Sequence, residues 1–134
     1  MSLTDFFKSL GAPLANSRWS WGGVRPDGTV VLRVWQDEHE RHEGQRCMRV
    51  TYHSRFEEVR ASQGYPERMR HLELVRSGAT CYLVMCKANP ALLPRREVMD
   101  FDQADVFLAG SPIDVEGDTW LPLKARVAAH SLGA

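Results

Sequence analysis

The tetrapeptide Arg25-Pro26-Asp27-Gly28, set between two segments rich in aromatic and β-branched residues, constrains this chain more than any other feature. Proline fixes φ, aspartate bonds the turn backbone and glycine accepts positive φ, so the four residues reverse the chain tightly. The flanking stretches, residues 18–24 and 29–35, then become the two strands of a hairpin. On an extended strand Trp19 and Trp21, two apart, point to one face. On the second strand Val30, Leu32 and Val34 take one face and Val31, Arg33 and Trp35 the other.

The remaining pattern adds strands with two helical interruptions. Residues 4–11 read as a short helix: Ser2 or Thr4 caps it, Phe6, Phe7 and Leu10 share a face, and Gly11 with Pro13 stops it. It is expected to lid one end of a barrel. The charged stretch 37–44 reads as a loop and 45–52 as a third strand, with Met48, Val50 and Tyr52 on one side. From Pro66 to Arg76 the period changes. Met69, Leu72 and Val75 recur every three residues, Pro66 suits a first helical turn and Gly78 a cap. This crossing helix feeds residues 80–87, apolar on both faces and so a central strand. A turn at 89–94, strands over 95–101 and 105–109, and a hairpin turning at Glu116-Gly117-Asp118 complete the chain. Many short strands with two helices predict one α+β domain over residues 1–134, a small, curled, mostly antiparallel β-barrel with one N-terminal helix and one crossing helix.

Composition excludes several classes. The 134 residues carry 17 basic and 17 acidic side chains and three cysteines. A chain of this size buries enough surface to fold without staples. Its longest apolar runs fall far short of the roughly twenty residues that span a bilayer, so no membrane partner is expected. The first ten residues do not read as an export signal, which points to a cytoplasmic protein. Cys47, Cys81 and Cys86 form no C-x-x-C pair, and Cys81 and Cys86, five apart on one strand, face opposite ways; all three read as small core residues. Fourteen of the 17 basic residues are arginine, the side chain that forks onto phosphate and stacks on rings. Residues 1–100 hold 15 basic and 12 acidic groups, against 2 and 5 in the remainder. The cationic excess is therefore upstream, although arginine also serves as a general solubilising charge.

The strong catalytic motifs are missing: no phosphate-binding G-x-x-x-x-G-K-[ST], no dinucleotide G-x-G-x-x-G, no G-x-S-x-G and no H-E-x-x-H. No cofactor and no metal are expected, and His39 and His42, amid Asp37, Glu38, Glu40 and Glu43, read as a solvated loop. His53 and His71 have no partner at the level of sequence, and Glu57-Glu58 or Asp114, Glu116 and Asp118 are acids on turns. The aromatic residues say more. Three of four tryptophans, Trp19, Trp21 and Trp35, belong to one hairpin together with Arg33, and Gly22-Gly23 permits close approach to backbone. Such a set can stack a planar base, a contact worth about 1–3 kcal/mol, or can simply be core.

The segments Arg18-Trp19-Ser20-Trp21-Gly22, Val31-Leu32-Arg33-Val34-Trp35-Gln36-Asp37, Arg76-Ser77-Gly78-Ala79-Thr80-Cys81-Tyr82 and Gly117-Asp118-Thr119-Trp120-Leu121 resemble uncharacterised single-domain bacterial proteins, some associated with HNH-type restriction nucleases. The order of strands and crossing helix also resembles PUA-like barrels, the superfamily of EVE, YTH, ASCH and SRA modules, several of which recognise modified bases. The resemblance covers most of the chain. No aromatic cage of that superfamily aligns residue by residue, and the HNH segment itself is missing. The resemblance therefore implies a reader, with any nuclease supplied by a separate partner protein.

These readings combine into a nucleic-acid-binding module that takes a flipped or modified base between Trp19, Trp21 and Trp35, with Arg33 at the base edge or phosphate. Arg18 and Arg25 on the hairpin, and Arg68, Arg70 and Arg76 on the crossing helix, are expected phosphate contacts that position without specifying. Two rivals use the same concavity: a small-molecule enzyme employing His53 or His71 with Glu57, and a homodimer interface built from exposed Trp and Arg.

Overall fold

The computed structural model describes residues 1–51, 64–89 and 97–133. In chain order these form α1 (Leu3–Ser9), β1 (Gly22–Val24), β2 (Val30–Trp35), β3 (His39–His42), β4 (Gln45–Arg49), α2 (Gly64–Arg76), β5 (Cys81–Ala88), β6 (Val98–Phe101), β7 (Asp105–Ala109), β8 (Ile113–Val115), β9 (Asp118–Ala128) and a final 3-10 turn, Ala129–Leu132. The fold is α+β. Its sheet runs β1-β2-β5-β7-β9-β4-β3, with β6 added to β5 and β8 to β9. Every pairing is antiparallel except β2 with β5. A parallel pair needs a crossover, and α2 lies in the chain segment that makes it.

Local chemistry accounts for the elements. Ser2 caps α1 by accepting from the Asp5 N–H at 3.0 Å. The Arg25-Pro26-Asp27-Gly28 turn closes as its sequence requires: the Gly28 N–H donates to Arg25 O at 2.9 Å, Gly28 has φ 90°, and Asp27 Oδ1 accepts from the Thr29 N–H. Residues 39–42 are strand rather than loop. Glu43 and Gly44, both at positive φ, make a two-residue reversal that folds β3 onto β4, as Glu116-Gly117 folds β8 onto β9.

The sheet separates two cores. Along β5 the alternation is complete: Tyr82, Val84 and Cys86 face α1 with Val31, Trp35 and Val106, while Cys81, Leu83 and Met85 face the opposite core with Val30, Leu32 and Val34. Cys81 and Cys86 thus lie on opposite faces. Met48, Val50 and Leu121 join Leu72 and Val75 of α2 in that second core, so the sheet curls around it. Burial raises the thiol pKa of Cys81 and of Cys86 to about 12, leaving both protonated and inert.

Two expectations need correction. The sheet is not closed: β1 and β3 are its ends, and no ladder joins them among the described residues. Nor is α1 the lid of a barrel end. Phe6, Phe7 and Leu10 are buried against Val31, Trp35, Val84 and Val106, so α1 covers one face of the sheet, where these apolar side chains need a partner. Among the described residues no helix is long and apolar enough to cross a membrane. Tyr52, residues 90–94 of the expected turn and residues 95–96 of the strand expected after it lie outside the described residues.

Candidate functional site

The β1–β2 ladder brings Trp21 opposite Arg33. Gly22 pairs with Leu32, and one step further the Arg33 N–H donates to Trp21 O at 2.9 Å. Trp35, two residues beyond Arg33, falls on the same face of β2. The Arg33 guanidinium carbon consequently stands 5.8 Å from the Trp21 ring centroid and 5.0 Å from that of Trp35, a cation held between two indoles. Trp35 is 7% exposed and belongs to the core, whereas Trp21 and Arg33 are half-buried. Three of the four residues expected to form a base pocket are therefore brought together. The space between Trp21 and Trp35 is taken by Arg33 itself.

Trp19 is placed differently. Residues 17–19 form a turn, and the strand begins only at Gly22. Asn16 builds this turn by accepting at its carbonyl from the Ser20 N–H, at its side chain from the Arg18 N–H, and by donating its own N–H to Ser20 Oγ. The two-residue alternation that would align Trp19 with Trp21 does not hold across such a turn. It is the carbonyl of Trp19, together with the Trp21 indole, that lies against Gly64, where any Cβ would collide with both.

The helix α2 closes the other side. Tyr65 meets Trp21 edge-on at 6.4 Å. Arg68 is 1% exposed and spends its guanidinium on backbone: Nη1 donates to Val50 O at 2.9 Å, and Nη2 to Trp21 O at 3.1 Å and Arg33 O at 2.6 Å. Its guanidinium carbon also stands 5.6 Å from the Trp21 ring. Arg68 is thus no phosphate contact, because a cation sealed in the core and donating to three carbonyls cannot reach a solvated anion. Sequence carried a signal for this: Arg68 falls one turn before Leu72 on the stripe that ends at Val75, an arginine within an apolar face.

Arg76 is also committed elsewhere. It holds Asp114 by two hydrogen bonds, 2.8 and 3.1 Å, and Thr119 Oγ1 at 2.9 Å, pinning the end of α2 to the β8–β9 hairpin. That guanidinium holds the Asp114 carboxyl below its usual range. Arg25 lies at the far end of the hairpin, four residues from Trp21 or roughly 13 Å at the strand rise, with its Nε over Gly11. Arg18, in the turn before Trp19, and Arg70, on α2, are exposed. Of the five arginines expected at phosphate, Arg76 is exposed as well but holds Asp114, which leaves these two, Arg18 three residues before Trp21 and Arg70 on α2.

His71, a candidate of the small-molecule-enzyme reading, is buried on α2 together with Glu67, which carries no signal of its own in the sequence. Ser20 Oγ donates to Glu67 Oε2 at 3.2 Å and so ties the turn before Trp21 to the helix. Burial, and then the nearby guanidiniums of Arg68 and Arg70, push the His71 pKa down to about 4, so His71 is neutral near pH 7. His53 and Glu57 lie outside the described residues. His39 and His42, three apart on β3, face opposite ways; His42 stacks edge-on with Trp120 at 4.6 Å. Among the described residues no group of three or more metal-ligating side chains occurs.

A guanidinium held against aromatic rings is restricted in its motion, and its forked N–H groups suit paired acceptors such as two phosphate oxygens or a base edge. Compared with models of known families, with curated proteins and with solved structures, the chain matches none of them.

Proposed function

We propose that this protein is a nucleic-acid-binding module that stacks a base on the Trp21 indole and engages its edge, or the adjacent phosphate, through Arg33. The observation that carries the reading is the Trp21–Arg33–Trp35 stack, in which a half-buried cation is oriented by two rings at one end of a hairpin. Since Arg33 fills the gap between the indoles, a base stacks on Trp21 beside the guanidinium rather than between two tryptophans. Arg18 and Arg70 add phosphate contacts that position the strand. The resemblance to PUA-like readers favours a flipped or modified base as the ligand, and a separate nuclease as the protein that acts on the bound site.

The test is fluorescence anisotropy of labelled single- and double-stranded oligonucleotides, with and without modified bases, at two salt concentrations. Arg33→Ala is expected to weaken binding at least tenfold, and Arg18→Ala with Arg70→Ala to flatten the dependence of log K on log salt. Equal affinity of wild type and Arg33→Ala, or no binding of any oligonucleotide at low salt, would overturn the reading.

A further inference from the structure

Glu67 and His71 stand one helical turn apart on α2 and are 5% and 8% exposed. Glu67 Oε2 has Ser20, but Oε1 is sealed from solvent with no hydrogen-bond partner, and so is His71 Nδ1. Buried polar atoms are almost always paired, so two orphans on one stripe of one helix ask for a common explanation. Side chains at i and i+4 have Cβ atoms about 5–6 Å apart, and no hydrogen bond or ion pair joins this one among the described residues. One small group between them can serve both.

We propose that Glu67 Oε1 and His71 Nδ1 form an internal acceptor pair that takes one small group carrying two hydrogen-bond donors. The chemistry follows from protonation. An ionised carboxylate only accepts, and a neutral imidazole has one accepting nitrogen, which is Nδ1 when the proton sits on Nε2. His71 is neutral because burial and two guanidiniums disfavour its cation. Those same cations, Arg68 and Arg70, disfavour a divalent metal, although a carboxylate and an imidazole one turn apart on a helix have ligand spacing. What two acceptors require is a donor–donor group: a water molecule, or an amino group on a bound heterocycle. The second source rests on the proposed base-stacking function. It reaches the pair only where base stacking displaces the Trp21 indole, since both acceptors are sealed from solvent, and that indole borders this stripe of α2: Ser20 directly precedes Trp21, and Gly64 packs on its ring.

The experiment is long-range nitrogen–proton NMR of the His71 ring in the full chain at pH 7, free and with single-stranded octamers carrying either one guanine or hypoxanthine, which lacks the amino group. The pair requires the Nε2–H tautomer, a hydrogen-bonded Nδ1 shift, and loss of that shift in Glu67→Leu. If Nδ1 moves only with guanine, and guanine binds about tenfold tighter, the group is the amino group. If Nδ1 is bonded in the free protein and both octamers bind equally, it is water. Absence of tryptophan quenching by either octamer, with the Nδ1 signature intact, defeats the stacking function and leaves the pair standing with water. An Nδ1–H tautomer, or an unbonded Nδ1 shift in the wild type throughout, overturns the pair, and that measurement needs no variant to fold.

Discussion

Arg68 Nη2 lies 2.6 Å from the carbonyl oxygen of Arg33, so the buried arginine of the helix holds the backbone of the exposed-side arginine of the site. The same nitrogen reaches Trp21 O, and Nη1 reaches Val50 O. One guanidinium thus sets the relative position of β1, β2 and the chain after β4. Arg68→Met, similar in length, removes all three bonds; Trp21 O keeps the Arg33 N–H, and the loss is expected to cost about 2–4 kcal/mol, from about 1–3 kcal/mol for each carbonyl deprived of this donor, partly relieved by relaxation. Arg68→Lys keeps the charge but not the fork, and is expected to recover only part of that loss. Urea unfolding of the three proteins, compared by midpoint at constant slope, checks the order; wild-type stability in either variant would remove Arg68 from the architecture.

Trp21 and Trp35 flank the same cation but differ in burial, and their substitutions should separate function from stability. Trp35 is 7% exposed among Val31, Val84 and Cys86, so Trp35→Ala is expected to destabilise by about 3–5 kcal/mol. Trp21 is half-buried at the margin of that cluster, and Trp21→Ala is expected to cost less than half as much while abolishing oligonucleotide binding. Thermal unfolding and anisotropy on both variants decide the matter. Equal destabilisation by the two would assign Trp21 to the core.

A residue's role is legible in the sequence where it depends on neighbours in the chain. Pro26-Asp27-Gly28, the cap at Ser2 or Thr4, the run of residues 80–87 apolar on both faces and the stripe Leu72–Val75 are all local signals, and a turn, helix or strand stands at each of them. Strand periodicity does not show where a local turn interrupts it or where position depends on distant partners. Alternation aligns Trp19 with Trp21, but the Asn16–Ser20 bonds end the extended backbone before it applies. Arg68 and Arg76 read as phosphate contacts because a basic helix face is normally solvated; their carbonyl and carboxylate partners are 18 to 47 residues away and invisible to a local pattern. The openness of the sheet, likewise, is a property of which strands pair and not of which strands form.

His71 gives a pH dependence of known sign. Its folded pKa, about 4, lies below the ordinary value of 6.5, so between these the unfolded chain binds more protons than the folded one. Stability from this group is therefore complete above pH 6.5 and falls as pH drops towards 4. The groups facing it are the cations Arg68 and Arg70, which depress its pKa, and the carboxylate Glu67 on the same stripe. His71→Leu, which cannot take up a proton, is expected to lose less stability than wild type between pH 6.5 and 4.5. Parallel pH profiles for the two proteins in urea unfolding would place the acid sensitivity elsewhere.

Gly64 is where the helix and the candidate site touch most closely. A Cβ there would collide with the Trp19 carbonyl and with the Nε1–Cε2 edge of Trp21, and backbone cannot step aside as a flexible side chain would. Gly64→Ala should gain helix propensity of up to about 1 kcal/mol at an interior position, with less at this first residue of α2. Overpacking costs about 1–3 kcal/mol and outweighs it. The net expectation is destabilisation, with the strain released by tilting Trp21 away from Arg33 and Tyr65. Near-ultraviolet circular dichroism should lose part of its indole signal, and oligonucleotide affinity should fall even where the variant is fully folded. A Gly64→Ala protein with unchanged spectrum and tighter folding would mean that α2 slides freely over the indole. The site would then owe its geometry to the β1–β2 hairpin alone, and the Arg68 clamp would not be what fixes Trp21.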